Sequence, residues 1–198
     1  MDKIAVQAAR SGIVKSLKRA MFNGVFEPEQ ELIQEELAEK LQVSRTPVRE
    51  ALLHLEEEGY VRRLPNRHVK VASLDGHVKK ENLFMICAIE QQLLRSRAEE
   101  KHWHAIFASA ASAFRRAPDM ETEAELHRSV SAGSENLYLR KLHLRVIDGY
   151  FCYLLENAAP HVQAQECLLR CSEAVLTGQT EEAVTALHSY FDLLSDCV

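Results

Sequence analysis

Two arginines four residues apart carry the clearest chemical signal in the sequence. On a helix that turns by about 100° per residue, Arg45 and Arg49 lie within about 40° of one another, with Thr46 beside them. A guanidinium group can donate two parallel hydrogen bonds to guanine O6 and N7, and the hydroxyls of Ser44 and Thr46 can bind phosphate oxygens. The chemistry available to this face is therefore the recognition of DNA.

Further basic residues surround this pair. The stretch from residue 40 to residue 70 contains seven of them: Lys40, Arg45, Arg49, Arg62, Arg63, Arg67 and Lys70. Arg67 and Lys70 are expected to contact the DNA backbone or minor groove. Basic and acidic residues balance at 12 each in residues 1–75, so residues 76–198 carry the whole net charge of −5. A local basic face is thus compatible with an acidic chain.

Two short helices joined by a turn are predicted around the arginines. The first is assigned by its apolar positions from Leu32 to Leu41, and its outer face is acidic, with Glu31, Glu35, Glu36 and Glu39. It ends near Gln42-Val43, after which Ser44 suits an N-cap and Pro47 is tolerated in the first turn of the next helix. That helix stops at Gly59, and its apolar stripe consists of Val48, Ala51, Leu52 and Leu55.

A longer helix and a hairpin complete this part of the chain. Apolar residues recur at helical spacing from about Asp2 to Asn23. After the two short helices, residues 60–64 turn through Pro65-Asn66 and return as residues 69–72, which predicts a β-hairpin. Helix, turn, helix and hairpin in this order are the winged form of the helix-turn-helix. Residues 1–75 are therefore predicted to form a DNA-binding domain.

The remainder of the chain is predicted to be all-helical. No strand alternation occurs from His77 onward, and breaks near residues 117–119, 133–134, 159–160 and 178 give about five or six helices. The predicted fold class is mainly α, with an N-terminal winged helix-turn-helix, a small β-hairpin and an all-α helical bundle at residues 76–198.

Several classes of protein are excluded by what the sequence lacks. Charges interrupt every apolar run before the roughly 20 residues of a membrane helix, and the N-terminus lacks a secretory signal, so a cytoplasmic protein is expected. The five cysteines have no C-x-x-C pairing, and Cys167 and Cys171 are interpreted as packing residues, with redox or metal chemistry as the alternative. No nucleophile elbow, P-loop or dinucleotide glycine pattern is present, so an enzyme is not expected.

The segment around the arginines resembles a known family. Residues 36–52 (ELAEKLQVSRTPVREAL), followed by Leu55, Glu58-Gly59 and Val61, resemble the DNA-binding signature of the GntR transcription regulators, specifically the FadR-like branch. The resemblance implies a homodimer whose recognition helices enter the major grooves of a palindromic operator. Glu29 and His68 stand where this family usually has glycine, which bears on the geometry of the loop and the wing.

The helical half resembles the shorter effector-binding domain of the same family. Its metal motif corresponds to residues 123–127 (EAELH), in which Glu123 and His127 lie one helical turn apart. The family's two further histidines fall at Leu168 and Tyr190, so Glu123 and His127 are an incomplete remnant and no metal or other cofactor is expected. The resemblance implies an effector pocket near Glu123, His127 and Tyr190.

Other residues of the helical half bear on which effector the expected pocket binds and on which histidines line it. Ile86 replaces the arginine that usually precedes Glu90, so we expect a more apolar effector or none. His188 lies about 160° around the helix from Tyr190. Four further histidines are expected to be surface or satisfied core residues: His102, His104, His143 and His161.

Taken together, the sequence predicts a homodimeric transcription regulator, most often a repressor in this family. It would bind double-stranded operator DNA through residues 1–75 and sense a small molecule through residues 76–198. One alternative is a regulator whose helical domain is degenerate and only dimerises. Another is a helical protein that binds a small molecule or metal, with the N-terminal domain as a scaffold. Operator binding with and without candidate metabolites separates the three.

Overall fold

The chain forms two compact units, Met1–Asp75 and Gly76–Val198, which are called the N-terminal and C-terminal units below. The computed structural model describes residues 2–65, 68–73, 75–97 and 100–197, with side chains described from Arg10 onward. Both units are mainly helical, and the small sheet lies in the N-terminal unit. The predicted fold class, a winged helix-turn-helix followed by an all-α unit, is confirmed.

The N-terminal unit contains three helices and a three-stranded antiparallel sheet. The helices are α1 (Asp2–Phe22), α2 (Gln34–Lys40) and α3 (Arg45–Glu57), and the strands are β1 (Glu31–Leu32), β2 (Val61–Arg63) and β3 (Val69–Val71). The strand order is β1-β3-β2. In the predicted hairpin Val61 pairs with Val71, and on the other side of β3 Leu32 pairs with Val69.

Strand β1 was not predicted. Leu32 is assigned by its spacing to the second helix, but it lies in β1, buried at 3% exposure, and α2 begins only at Gln34. The assignment is wrong because a two-residue strand has no periodicity to detect. A single apolar side chain also faces the core equally well from either element.

A fully buried stripe fixes the rotation of α3 about its axis. Val48, Ala51, Leu52 and Leu55 are each 0% exposed, and α3 packs against α1. Burying a Val or Leu side chain contributes about 1.5 to 3 kcal/mol, so a rotation that exposed this stripe would be costly. The opposite face of α3 is consequently held toward solvent.

The C-terminal unit is helical throughout its described residues. Its elements are α4 (Gly76–Arg97), α5 (Lys101–Arg116), α6 (Met120–Val130), α7 (Leu137–Val146), a π-helical segment (Ile147–Phe151), α8 (Cys152–Asn157), α9 (Val162–Leu176) and α10 (Thr180–Ser195). The four predicted breaks are confirmed. No described helix is both long and apolar enough to cross a membrane.

The core of this unit is built around α10, which packs against α9 and α4. A capping box starts α6, in which the Asp119 carboxylate accepts from the backbone of Thr122 and the Thr122 hydroxyl accepts from the backbone of Asp119. The π-helical segment carries Phe151, whose ring contacts the ring of His127 with centroids 4.6 Å apart. Helices α6 and α10 and the π-helical segment position the polar residues described below.

Candidate DNA interface and buried polar centre

The outward face of α3 begins at its first residue. Ser44 occupies the N-cap position with extended backbone, as predicted, and its side chain makes no capping hydrogen bond to the helix. Ser44, Arg45, Thr46 and Arg49 are all exposed. The structure therefore brings the four residues assigned to this helix onto its solvent side.

The two arginines of this face have different surroundings. Arg45 forms an ion pair with Glu35 of α2, and both side chains remain more than half exposed. For Arg49, no ion pair is found among the described residues. Sequence reasoning missed Glu35 as a partner, because ten residues separate it from Arg45 and no spacing rule connects a helix to the one before it.

Basic side chains on the sheet are also paired with acidic ones. Arg62 pairs with Glu29, and His68 pairs with Glu31. Arg63 binds Glu56 of α3, with Nη2 and Oε2 3.0 Å apart. The predicted contact Lys70 lies on β3 and is half-buried, whereas the predicted contact Arg67 lies outside the described residues.

The backbone at Glu29 adopts a conformation that favours glycine, which is the usual residue at this position in the family that the sequence resembles. The φ of Glu29 is 66°, in the left-handed region that glycine adopts without strain. The loop nevertheless closes, since the Glu29 amide donates to the Val71 carbonyl at 3.0 Å. The hydrogen bond from Arg62 lowers the pKa of the Glu29 carboxyl, and Lys70 adds to this shift.

A carboxylate lies between two imidazoles in the core of the C-terminal unit. The oxygens of Glu90 lie 2.8 Å from His127 Nδ1 and 2.8 Å from His143 Nε2, and all three side chains are buried. His143 Nδ1 lies 2.8 Å from the Ser131 hydroxyl. Burial alone would raise the pKa of Glu90, but His127 and His143 lower it to about 2. His143 is therefore a satisfied core residue, as predicted.

A second buried carboxylate, Glu123, is surrounded by three hydrogen-bonding groups. The Tyr190 hydroxyl donates to it at 2.7 Å and the Gln165 amide at 2.8 Å, while His161 Nε2 lies 3.1 Å from both of its oxygens. Although burial opposes the shift, these three partners lower the pKa of Glu123. The hydrogen bond to Glu123 raises the pKa of His161, and burial raises that of Tyr190.

The three residues assigned to an effector pocket are thus neighbours. Tyr190 contacts Glu123 through its hydroxyl and His127 through its ring, with ring centroids 5.1 Å apart. All three are buried, and Phe151 and Phe191 pack against His127. This centre is closed to solvent. His161 belongs to it as well, although sequence reasoning assigned that histidine only to the surface or the core.

The donor atoms here do not fit the divalent metal that is usual in the family that the sequence resembles. Both oxygens of Glu123 are engaged by protein groups, and Leu168 offers no donor. His127 Nε2 is a buried nitrogen without a hydrogen-bond partner in the described part of the chain, but it is a single ligand atom. No group of three or more His, Cys, Asp or Glu side chains in the described ranges could hold a metal ion.

Five free cysteines include three that are buried, Cys87, Cys167 and Cys171. Burial raises the pKa of Cys87 to about 12 and raises that of Cys171 further from its ordinary value. Thiols in this state are poor nucleophiles, so the interpretation of Cys171 as a packing residue agrees with its surroundings. The alternative of redox chemistry at this cysteine is not supported.

Comparison with known proteins gives a family match within the arginine-bearing N-terminal unit. Residues 9–71 match the model of the family described as bacterial regulatory proteins, gntR family. An uncharacterized HTH-type transcriptional regulator of Agrobacterium vitis, from the TAR-I ttuE-ttuC' intergenic region, is 33% identical over 73 residues. Those residues are 37% of this chain and 43% of that protein, so the match spans less than half of either.

Solved structures share the whole fold at low sequence identity. Lar, described as controlling the expression of the Listeria monocytogenes agr system, is 19% identical with a TM-score of 0.65, and the match covers 94% of both chains. McbR/YncC of E. coli is 19% identical with a TM-score of 0.64, and the match covers 93% of both chains. These likenesses establish the architecture alone.

The matched family consists of regulatory proteins, which agrees with the expectation of a protein that is not an enzyme. The finer assignment to the FadR-like branch stays a prediction. The arginine-bearing helix and the winged helix-turn-helix fold of the N-terminal unit thus lie within the segment, residues 9–71, that is similar to the gntR family of bacterial regulatory proteins.

Proposed function

We propose that the chain is a sequence-specific transcription regulator, acting as a repressor, that binds a palindromic operator as a homodimer. The observation that carries this is the exposed Arg45, Thr46 and Arg49 face of α3, which the buried stripe on the same helix turns toward solvent. Arginine is the side chain best suited to read guanine in the major groove, and Ser44 and Thr46 would hold the helix on phosphates. Such a regulator would act in the cytoplasm, where bacterial DNA lies.

A homodimer is supported by the small number of bases that one helix can read. A recognition helix contacts only a few base pairs, and two-fold symmetry doubles the site. The C-terminal unit offers surface for dimerisation, because α4 and α7 expose several large apolar side chains, namely Phe84, Met85, Leu137, Tyr138 and Leu142. Exposed apolar side chains in such numbers are typical of interaction surfaces.

The role of the C-terminal unit has two candidates. The first is an effector-binding and dimerisation domain, in which Glu123, His127 and Tyr190 are the residues nearest an effector. The closed centre around Glu123 favours the second candidate, a domain that dimerises without sensing a ligand, because its carboxylate is already satisfied by protein groups. An effector would have to displace these hydrogen bonds or bind elsewhere.

Selection of bound sequences from random double-stranded DNA tests this proposal. We expect the recovered sites to be palindromic. Arg45→Ala and Arg49→Ala should each weaken binding to the selected site by about 1 to 3 kcal/mol and relax one base position. Lys70→Ala should instead weaken binding to all sequences and lower its salt dependence. If the unaltered chain enriches no sequence, the proposal is wrong.

A further inference from the structure

The ion pair between Glu35 and Arg45 links the two helices of the helix-turn-helix. Glu35 lies in the first turn of α2, and Arg45 is the first residue of α3. With side-chain exposures of 58% and 67%, the pair lies in solvent, where such contacts contribute little to stability. The effect of the ion pair therefore concerns the orientation of the Arg45 side chain rather than the stability of the fold.

The pair restricts a side chain that otherwise has many rotamers. Ordering an arginine costs conformational entropy, and a partner that orders it in the free protein removes part of this cost from binding. The contact engages Nη2, and a guanidinium has five N–H donors in a planar fork, so donors remain for a base. Arg49, on the same face, has no such partner among the described residues.

The position of Glu35 places its carboxylate beside the proposed reading face. Glu35 and Arg45 line one recess of about 280 Å³, together with Ile33 of the loop before α2 and His68 next to β3. A carboxylate here repels phosphate, yet it can accept a hydrogen bond from the N4 amino group of cytosine. Glu35 thus lies where it can influence which base pair is accepted opposite Arg45.

We propose that Glu35 is a positioning residue that sets the base preference of Arg45. This inference rests on the proposed function, since it assigns a role within the same DNA interface. Glu35 holds the guanidinium in one orientation, and the base pair opposite Arg45 is read through that orientation.

Selection from random DNA with matched variants tests the role of Glu35. The control is Glu39→Gln, which removes the same charge from an exposed position of the same helix, where no ion pair is found in the described ranges. Both variants reduce repulsion of phosphate, so both can bind DNA more tightly overall. Only Glu35→Gln should reduce discrimination at the position that Arg45→Ala also relaxes, by about three- to tenfold.

The double variant Glu35→Gln with Arg45→Ala separates positioning from an independent base contact. If Glu35 acts through Arg45, the double variant should have the same base profile as Arg45→Ala alone. Additive effects in the double variant, or equal profiles for Glu35→Gln and Glu39→Gln, would overturn the inference while leaving the proposed function intact. Failure of the unaltered chain to enrich any site would instead refute the proposed function.

Discussion

Glu90 joins two histidines through buried polar contacts in the C-terminal unit. Each of its carboxylate oxygens meets one imidazole, from His127 or His143, so neither oxygen is left unpaired among apolar side chains. Its pKa is lowered from 4.5 to about 2. A carboxyl whose pKa falls on folding stabilises the protein fully above the unfolded-state value, and this stabilisation is lost as the pH falls through the folded-state value.

Replacing this carboxylate should therefore change both stability and its pH dependence. We expect Glu90→Gln to lower the free energy of unfolding at pH 7 by on the order of 3 kcal/mol. The variant should also show a smaller loss of stability between pH 4.5 and about 2, the interval that the two pKa values bound. Urea unfolding across this range measures both effects. Glu81→Gln, which removes an exposed carboxylate from the same helix, should keep the original slope, and an equal slope for Glu90→Gln would contradict the prediction.

The hydrogen bonds around Glu123 lead to a prediction about metals. Because Tyr190, Gln165 and His161 engage its carboxylate, protein purified without a metal-affinity tag should contain less than stoichiometric zinc, nickel or manganese. Elemental analysis measures this, and adding zinc should leave the melting temperature unchanged.

The histidines provide the controls for this measurement. A stoichiometric metal that is lost in His127→Ala would show that a complete site exists after all. Metal lost in His188→Ala would belong to the surface, since that side chain is more than half exposed and contacts Asp192.

At the scale of residues, spacing located side chains that share one element, and only the family resemblance grouped Tyr190 of α10 with Glu123 and His127 of α6. Arg45 and Arg49 are recognised by helical spacing alone. The contact of His161 with Glu123 joins residues 38 apart in the chain, and His161 precedes α9 in a segment with no period. Such a contact depends on how helices pack, which spacing does not encode.

At the scale of elements, the strongly periodic helices and the β2–β3 hairpin were predicted, whereas β1 and the π-helical segment were not. The π-helical segment carries buried Ile147, Tyr150 and Phe151 at the i, i+3, i+4 spacing of an ordinary helix, so it leaves no distinct pattern. The break between α4 and α5 was also missed, because the sequence from Arg97 to Lys101 contains neither glycine nor proline.

Gln42, just after the end of α2, has a strained backbone conformation that the sequence pattern does not indicate. Gln42 has φ of 54°, and it follows the helix in a Schellman arrangement. In this arrangement the Val43 amide donates to the Ala38 carbonyl at 3.0 Å, and the Gln42 amide donates to the Glu39 carbonyl at 3.1 Å. A residue with a Cβ atom costs about 1 to 2 kcal/mol in this conformation, which glycine adopts freely.

We therefore expect Gln42→Gly to raise the free energy of unfolding by about 0.5 to 1 kcal/mol, because relief of strain exceeds the added entropy of the unfolded chain. Chemical denaturation of the full chain measures the change. The matched control is Gln34→Gly at the first residue of α2, which is not among the residues of positive φ, so this variant has no strain to relieve and should not gain stability. Loss of stability in Gln42→Gly would show that the Gln42 side chain makes contacts worth more than the strain.

At the scale of the whole molecule, the distribution of charge separates two effects of the C-terminal unit on DNA binding. Residues 76–198 carry the entire net charge of −5, whereas residues 1–75 are balanced. Removing the C-terminal unit would therefore reduce long-range repulsion between the protein and DNA. On charge alone, the isolated N-terminal unit should bind DNA more tightly than the full chain.

We predict the opposite for a palindromic operator, because the loss of two-fold symmetry outweighs the gain in charge. Residues 1–75 alone should be monomeric in light scattering and should bind a palindrome no better than a half-site, while the full chain should prefer the palindrome by at least about a hundredfold. Circular dichroism confirms that the truncated unit is folded, and titrations at matched ionic strength remove the charge difference from the comparison. A truncated unit that dimerises and retains full preference for the palindrome would contradict this prediction. The dimer contacts would then lie in residues 1–75, and the exposed apolar side chains of α4 and α7 would have no role in dimerisation.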